Sequence, residues 1–158
     1  MLSATTDRDY LAGLMVLLVE DDSDARDALA EFLGRRVGCV LQAANGIEGL
    51  ALFNEKRPAL VVTDVTMPGL DGTTMARYIK ECEPTVQILA ITASRHTDQQ
   101  QKGSDTVFDD YLAKPIKADQ LEAALLKSAR TLRLLNSVPP TGSARPVGHP
   151  DPRTPWFV

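Results

Sequence analysis

The sequence is poor in the features that mark a membrane protein, a disulfide scaffold or a nucleic-acid-binding surface. No apolar run is long enough to span a bilayer, and residues 1–13 lack the basic start and apolar stretch of a signal peptide. Two cysteines, Cys39 and Cys82, are too few for a zinc site or a disulfide framework. The net charge of −4 disfavours contact with a polyanionic backbone. We therefore expect a cytoplasmic protein that binds neither membrane nor nucleic acid directly.

What the sequence does contain is an alternation of apolar runs and helical patterns. Such alternation is typical of βαβ units and a parallel sheet. The predicted strands are 14–19, Cys39–Ala43, 60–63, 86–91 and 111–113. Helices are predicted between them, including a polar one at about 97–103 and a long last one striped by leucines from Leu121 to Leu135.

The composition changes near residue 137. Residues 137–158 hold six of the ten prolines and almost no aliphatic side chains, so they bury too little apolar surface to fold alone. The chain is long enough for one domain with a sizeable core. We predict an N-terminal extension at 1–13, one domain at 14–136 and a Pro-rich flexible tail at 137–158.

Polar residues follow four of the predicted strands. Glu20 and Asp21 come after the first strand, Asp64 after the third, Thr92 after the fourth and Lys114 after the fifth. In an open parallel sheet the carboxyl ends of the strands share one edge, where ligands bind. The sequence therefore predicts that these five side chains converge.

The chemistry of this set points to phosphoryl transfer. Clustered carboxylates repel one another by roughly 1–4 kcal/mol per pair, which a cation can offset, and oxygen ligands favour Mg²⁺. A carboxylate such as Asp64 can attack phosphorus to give an acyl phosphate. The Thr92 hydroxyl and the Lys114 ammonium could then contact the phosphoryl oxygens. A cis bond between Lys114 and Pro115 is one way to turn that ammonium toward the carboxylates.

Four segments in order carry a family resemblance: EDD, TDVTMPGLDG, ITAS and YLAKP. Asp64 and Thr92 lie 28 residues apart, and Thr92 and Lys114 lie 22 apart. The chain resembles the receiver domain of bacterial two-component response regulators over about residues 15–136. The resemblance implies an α/β, flavodoxin-like, doubly wound fold with a five-stranded parallel sheet in order 2-1-3-4-5 and five surrounding helices.

The resemblance also implies roles for individual residues. Asp64 would be the phosphoryl acceptor, with Thr92 and Lys114 in contact with the phosphoryl group. Mg²⁺ would be held by Asp21, Asp64, the backbone carbonyl of Thr66 and, through water, Glu20. Thr92 and Tyr111 would be the switch residues.

The implied function is signal reception. The donor would be a histidine kinase or a histidine phosphotransfer protein, and the chain would act on an unknown downstream protein, with a phosphorylation-dependent dimer left open. We expect no enzymatic activity beyond its own phosphorylation and dephosphorylation. Alternatives are a receiver fragment of a hybrid histidine kinase and an intermediate in a phosphorelay. A haloacid-dehalogenase-type phosphatase is disfavoured, because it needs an acid where Thr66 stands.

Some positions depart from the usual family pattern. Thr66 and Ser94 offer neither an amide nor an acid to position water, which predicts slow self-dephosphorylation. Val107 and Phe108 stand where the family usually has Gly-Ala, and the reason is not evident from the sequence. No output-domain pattern follows the last predicted helix, so we expect a stand-alone regulator. The segment Trp156–Val158 is a docking peptide, a segment that folds back on the domain, or a stretch without a role.

Overall fold

The computed structural model describes residues 5–93 and 107–137 of the chain. Its five strands form one parallel sheet in the order β2-β1-β3-β4-β5, as predicted. The strands are β1 (Met15–Val19), β2 (Cys39–Ala43), β3 (Leu60–Asp64), β4 (Gln87–Thr92) and β5 (Asp110–Ala113).

Five helices surround the sheet in the described residues. They are α1 (Asp7–Ala12), α2 (Ser23–Gly34), α3 (Gly46–Lys56), α4 (Gly72–Cys82) and α5 (Ala118–Ser137). Helix α1 lies within the predicted N-terminal extension and was not expected from the sequence. The helix predicted at about 97–103 and nearly all of the predicted tail lie outside the described residues.

The two faces of the sheet carry separate apolar cores. Along β1, Val16 and Leu18 pack with residues of α1, α2 and α5, whereas Leu17 and Val19 pack with residues of α3 and α4. Because successive side chains of a strand point to opposite faces, a strand covered on both sides needs a continuous apolar run. This is the reason for the uninterrupted MVLLV of β1, whose last four residues are all buried.

The helices begin at residues whose side chains accept hydrogen bonds from the first turn. Asp22, Asn45 and Asp71 are the N-caps of α2, α3 and α4. Thr6 caps α1 in a capping box with Asp9. Such caps satisfy backbone N–H groups that have no partner within the helix.

Helix α1 packs along α5. Leu11 is 1% exposed and belongs to the core between the sheet, α2 and α5. Polar contacts join the same two helices: Asp7 with Arg133, Arg8 with Glu122, and Tyr10 with Asn136. Helix α1 is therefore attached both by apolar burial and by polar contacts.

Among the described helices, none combines the length and the apolar character needed to cross a membrane.

Candidate functional site: an acidic cluster at the carboxyl edge of the sheet

Three carboxylates meet where β1 and β3 end. Glu20 and Asp21 directly follow β1, and Asp64 is the last residue of β3. The two strands are paired neighbours, with Val19 opposite Thr63. One carboxylate oxygen from each of the three residues lies within 4.8 Å of the other two. The sheet order thus brings together residues that are more than 40 positions apart in the sequence.

Glu20 is the buried member of this cluster. It is 1% exposed, and its backbone N–H donates to the carbonyl of Ala43, which extends the pairing of β1 with β2. Its Oε1 accepts a bond from the N–H of Asp22. Its buried Oε2 takes part in no hydrogen bond within the described residues, and it lies 3.8 Å from Lys114 Nζ. Burial, the main cause, and the charges of Asp64 and Asp21 raise the pKa of Glu20 above its usual value.

Both carboxylate oxygens of Asp64 have a donor. Oδ1 accepts a hydrogen bond from the backbone N–H of Thr66 at 3.1 Å, and Oδ2 accepts one from Lys114 Nζ at 2.9 Å. Asp64 is 6% exposed and pairs with Ile91 in β4. The carboxylate is therefore fixed in position while its outer edge still meets solvent.

Lys114 supplies the positive charge at the cluster. It follows β5, its N–H donates to the carbonyl of Thr92, and the Lys114–Pro115 bond is cis. Partial burial lowers the pKa of Lys114, but the hydrogen bond to Asp64 and the negative charges of Asp64, Glu20 and Asp21 outweigh it, so the pKa is raised overall. The ammonium therefore stays charged throughout the physiological pH range.

Thr92 lies at the same edge. It is the last residue of β4, is 7% exposed, and is the residue after Ile91, the strand partner of Asp64. On its other side it pairs with Ala113, the residue before Lys114. The strands predicted from the sequence ended at residues 63 and 91, one residue too early. In the structure, Asp64 and Thr92 are the last residues of β3 and β4. Ladder hydrogen bonds therefore fix their positions.

Tyr111 lies further back along β5, opposite Ala90. Its ring is half-buried, and burial raises the pKa of its hydroxyl. The ring meets that of Phe108 edge to face, with centroids 5.6 Å apart. Tyr111 thus stands behind the acidic cluster rather than within it.

A glycine at the start of α4 allows this helix to lie close to the backbone of Asp64. Gly72 is the first residue of α4 and donates its N–H to the carbonyl of Val65. A Cβ at this position would lie 2.3 Å from the carbonyl oxygen of Asp64. Only glycine lets the start of α4 pack this closely against the backbone that carries the Asp64 carboxylate.

A second contributor was also missed. Arg26, in the first half of α2, donates from Nη1 to the backbone carbonyl of Glu20 at 2.8 Å. This bond ties the helix to the loop that carries Glu20 and Asp21. An arginine on a polar helix looks like a solvated surface residue, so no pattern in the sequence could have revealed the contact.

Comparison with known proteins identifies this arrangement. A family model described as the response regulator receiver domain matches residues 16–126. The chain belongs to the response regulator receiver family. The match covers β2 to β5, all of β1 except Met15, and the site residues from Glu20 to Lys114.

Relatives of this receiver support the same assignment. It is 37% identical over 110 residues to the transcriptional regulatory protein AfsQ1 of Streptomyces coelicolor, covering 70% of this chain and 48% of that protein. It is 34% identical over 146 residues to the positive alginate biosynthesis regulatory protein of Pseudomonas aeruginosa, covering 88% of this chain and 58% of that protein. The chain thus spans about half the length of these curated relatives.

Solved structures agree on the fold. The crystal structure of a response regulator receiver domain protein from Clostridium thermocellum superposes with a TM-score of 0.71 at 27% identity, covering 77% of this chain and 98% of that one. The flavodoxin-like fold and the strand order implied by the resemblance are both confirmed.

The receiver's acidic cluster fits a hard divalent cation. Its donors are carboxylate oxygens from three residues close enough to share one ion, and Glu20 Oε2 is a buried oxygen without a hydrogen bond in the described residues. Oxygen-only donor sets with room for water suit Mg²⁺. The role of the Thr66 carbonyl as a ligand stays a prediction.

Proposed function

We propose that this chain is a phosphorylatable receiver that accepts a phosphoryl group on Asp64 from a histidine kinase or a histidine phosphotransfer protein. The observation that carries the proposal is the setting of the Asp64 carboxylate. It receives a bond from the Lys114 ammonium at 2.9 Å and lies within 4.8 Å of two further carboxylates. The Lys114 ammonium orients this carboxylate for attack and complements the negative charge of a phosphoryl group, and the two neighbouring carboxylates could hold a cation that offsets the remaining charge.

The reaction is an exchange of one phosphorus bond for another. An oxygen of Asp64 forms a bond to phosphorus as the phosphorus–nitrogen bond of a phosphohistidine breaks, and the released imidazole nitrogen takes up a proton. The product is an acyl phosphate on Asp64. Glu20, Asp21 and Asp64 would hold Mg²⁺, which would neutralise negative charge on the transferring group.

Lys114 and Thr92 then distinguish the phosphorylated from the unphosphorylated state. Lys114 donates to Asp64 before transfer and, as a charged donor, can transfer its bond to a phosphoryl oxygen afterwards. Thr92 occupies the neighbouring strand end and would supply a hydroxyl. A phosphoryl group adds close to two negative charges and three acceptors, which is enough to bias an element that has two arrangements.

In this proposal, phosphorylation changes a protein-interaction face that includes β5 and α5, together with the helix predicted at about 97–103, and Tyr111 couples this face to Asp64. The chain would act through protein–protein contact, without direct binding to nucleic acid. Both cysteines, Cys39 and Cys82, are free, which suits the reducing cytoplasm. A relay intermediate or a hybrid-kinase receiver would use the same chemistry and differ only in partner.

The alternative of a phosphatase acting on other molecules is weaker. That chemistry needs a general acid two residues after the nucleophile, where this chain has Thr66, whose N–H instead donates to Asp64. We therefore propose no catalysis beyond the chain's own phosphorylation and dephosphorylation.

The test is the intact mass of the full chain after incubation with acetyl phosphate, with and without Mg²⁺. We expect one added phosphoryl group that requires Mg²⁺ and is released by hydroxylamine, as an acyl phosphate should be. Asp64→Asn should abolish it. Asp71→Asn is the matched control, because Asp71 caps α4 nearby and asparagine caps equally well. Equal labelling of wild type and Asp64→Asn would refute the assignment.

A further inference from the structure

The switch aromatic has an unexpected neighbour. Phe108 stands where the family resemblance leads one to expect a small residue, and it is buried, at 8% exposure. Its ring lies 5.6 Å from that of Tyr111 with an interplanar angle of 74°. This is the edge-to-face geometry that aromatic pairs favour.

Phe108 is held in place by the residue that follows it. The N–H of Asp109 donates to the carbonyl of Ile88 at 2.8 Å, and its Oδ2 accepts from the N–H of Ile88 at 2.8 Å. The same oxygen pairs with Lys80 Nζ at 2.8 Å. These bonds fasten the backbone beside Phe108 to β4 and α4. The backbone from which the Phe108 ring projects is therefore anchored independently of Tyr111.

The two rings also belong to one apolar core. Phe108 is a buried member of the cluster formed with Ile88 and Ala90, and Tyr111 packs against this cluster as a half-buried residue. An inward turn would bury more of the Tyr111 ring than its present half-buried position does. Contact with Phe108 stabilises that position.

We infer that Phe108 is a positioning residue for Tyr111, which holds the ring in its half-buried position and so opposes the phosphorylation-linked switch. The inference rests on the proposed function, in which Tyr111 couples Asp64 to the β5–α5 face. An aromatic pair of this geometry is expected to bias the ring equilibrium about 2- to 10-fold beyond the effect of burial alone. A ligand that favours the turned state must overcome this bias, so removing it should tighten that ligand's binding.

The test uses the full chain labelled with 3-fluorotyrosine and observed by ¹⁹F NMR. The three tyrosines give three resonances, which Tyr→Phe replacements at Tyr10, Tyr78 and Tyr111 assign. Phe108→Leu keeps the site apolar but removes the aromatic ring. In this variant we expect the Tyr111 resonance to move toward the chemical shift that it has in wild type saturated with beryllofluoride. We also expect the half-saturating concentration of beryllofluoride, a phosphoryl analogue, to fall about 2- to 10-fold in the presence of Mg²⁺.

The matched control is Phe53→Leu. Phe53 is fully buried in the same core but lies on α3, where the guanidinium of Arg57 lies over its ring. We expect this variant to lose stability without moving the Tyr111 resonance. An unmoved resonance in Phe108→Leu, or an equal movement in both variants, would overturn the inference.

The outcome also separates this inference from the proposed function. If wild type takes up neither beryllofluoride nor phosphate, the proposed function fails, and the switch role of Phe108 fails with it. If wild type binds beryllofluoride but Phe108→Leu binds it no more tightly, only the role of Phe108 fails.

Discussion

Leu11 offers a sharp test of whether α1 is an integral part of the folded domain. It is 1% exposed and packs in the core shared by the sheet, α2 and α5. Truncating a buried leucine to alanine typically costs about 2–5 kcal/mol. We expect Leu11→Ala to lie at the lower end, because α1 has only six residues and a terminal helix can detach instead of holding a cavity.

Detachment sets an upper limit on the effect. The loss cannot exceed the free energy with which α1 docks, to which the ion pair of Asp7 with Arg133 adds little. Both side chains of that pair are 32% exposed, and such pairs contribute about 1 kcal/mol or less. We expect a loss of about 2–3 kcal/mol for Leu11→Ala, and deletion of residues 1–12 should cost at least as much.

Urea unfolding of the full chain measures this loss. With a slope of about 1–3 kcal/mol per molar urea, the midpoint should fall by about 0.7–3 M with little change in slope. Leu135→Ala is the matched control, since Leu135 is 46% exposed on α5 and its truncation should change stability by no more than about 0.5 kcal/mol. A Leu11→Ala midpoint equal to that of the control would refute the reasoning, because α1 would then contribute nothing to the fold.

Three further predictions concern the site and its supports. Asp71→Ala should lower the free energy of unfolding by about 1 kcal/mol, while Asp71→Asn changes it little. Because hydrogen bonds from Thr74 lower the pKa of Asp71, the ionised carboxylate should stabilise the fold at neutral pH, and this stabilisation should disappear as the pH falls through the lowered pKa. Unfolding measured across the acid range should therefore show a smaller loss of stability in Asp71→Asn than in wild type. Glu20→Gln should stabilise the Mg²⁺-free protein by about 1 kcal/mol, since it removes a buried charge that faces Asp64, and it should weaken the stabilisation by added Mg²⁺. Thermal unfolding with and without Mg²⁺ measures both effects, and an unchanged response to Mg²⁺ would show that Glu20 is not part of the metal site. Thr66→Asn should speed loss of the acyl phosphate by up to about 100-fold by positioning water, as followed by intact mass over time; a wild-type half-life of seconds would contradict the slow dephosphorylation expected here.

The strands and the convergence of the site were predictable because both depend on short patterns. An apolar run that ends in a carboxylate, a hydroxyl or an ammonium marks a strand and its carboxyl end at once. Since parallel strands share that edge, Glu20, Asp64 and Lys114 could be placed together before any distance was known. The roles of individual residues came from the family resemblance rather than from the pattern.

Other features were not predictable for physical reasons. Helix α1 is shorter than the window in which helical periodicity becomes visible, and it has one fully buried residue, Leu11. The bond from Arg26 to the Glu20 carbonyl and the contact of Phe108 with Tyr111 depend on where a backbone turns in space. Hydrophobic spacing does not encode such contacts.

The docking of α1 on α5 brings the two ends of the folded unit side by side. Helix α5 starts next to Lys114 and runs 20 residues, about 30 Å, away from the acidic cluster, and Asn136 near its end meets Tyr10. A short linker could therefore join these ends, and the chain could be reopened elsewhere as a circular permutant. A segment joined directly to the start of α1 or to the end of α5 would also start from the pole opposite Asp64. A phosphoryl group on Asp64 would then influence the start of such a segment through the body of the domain, rather than by touching it.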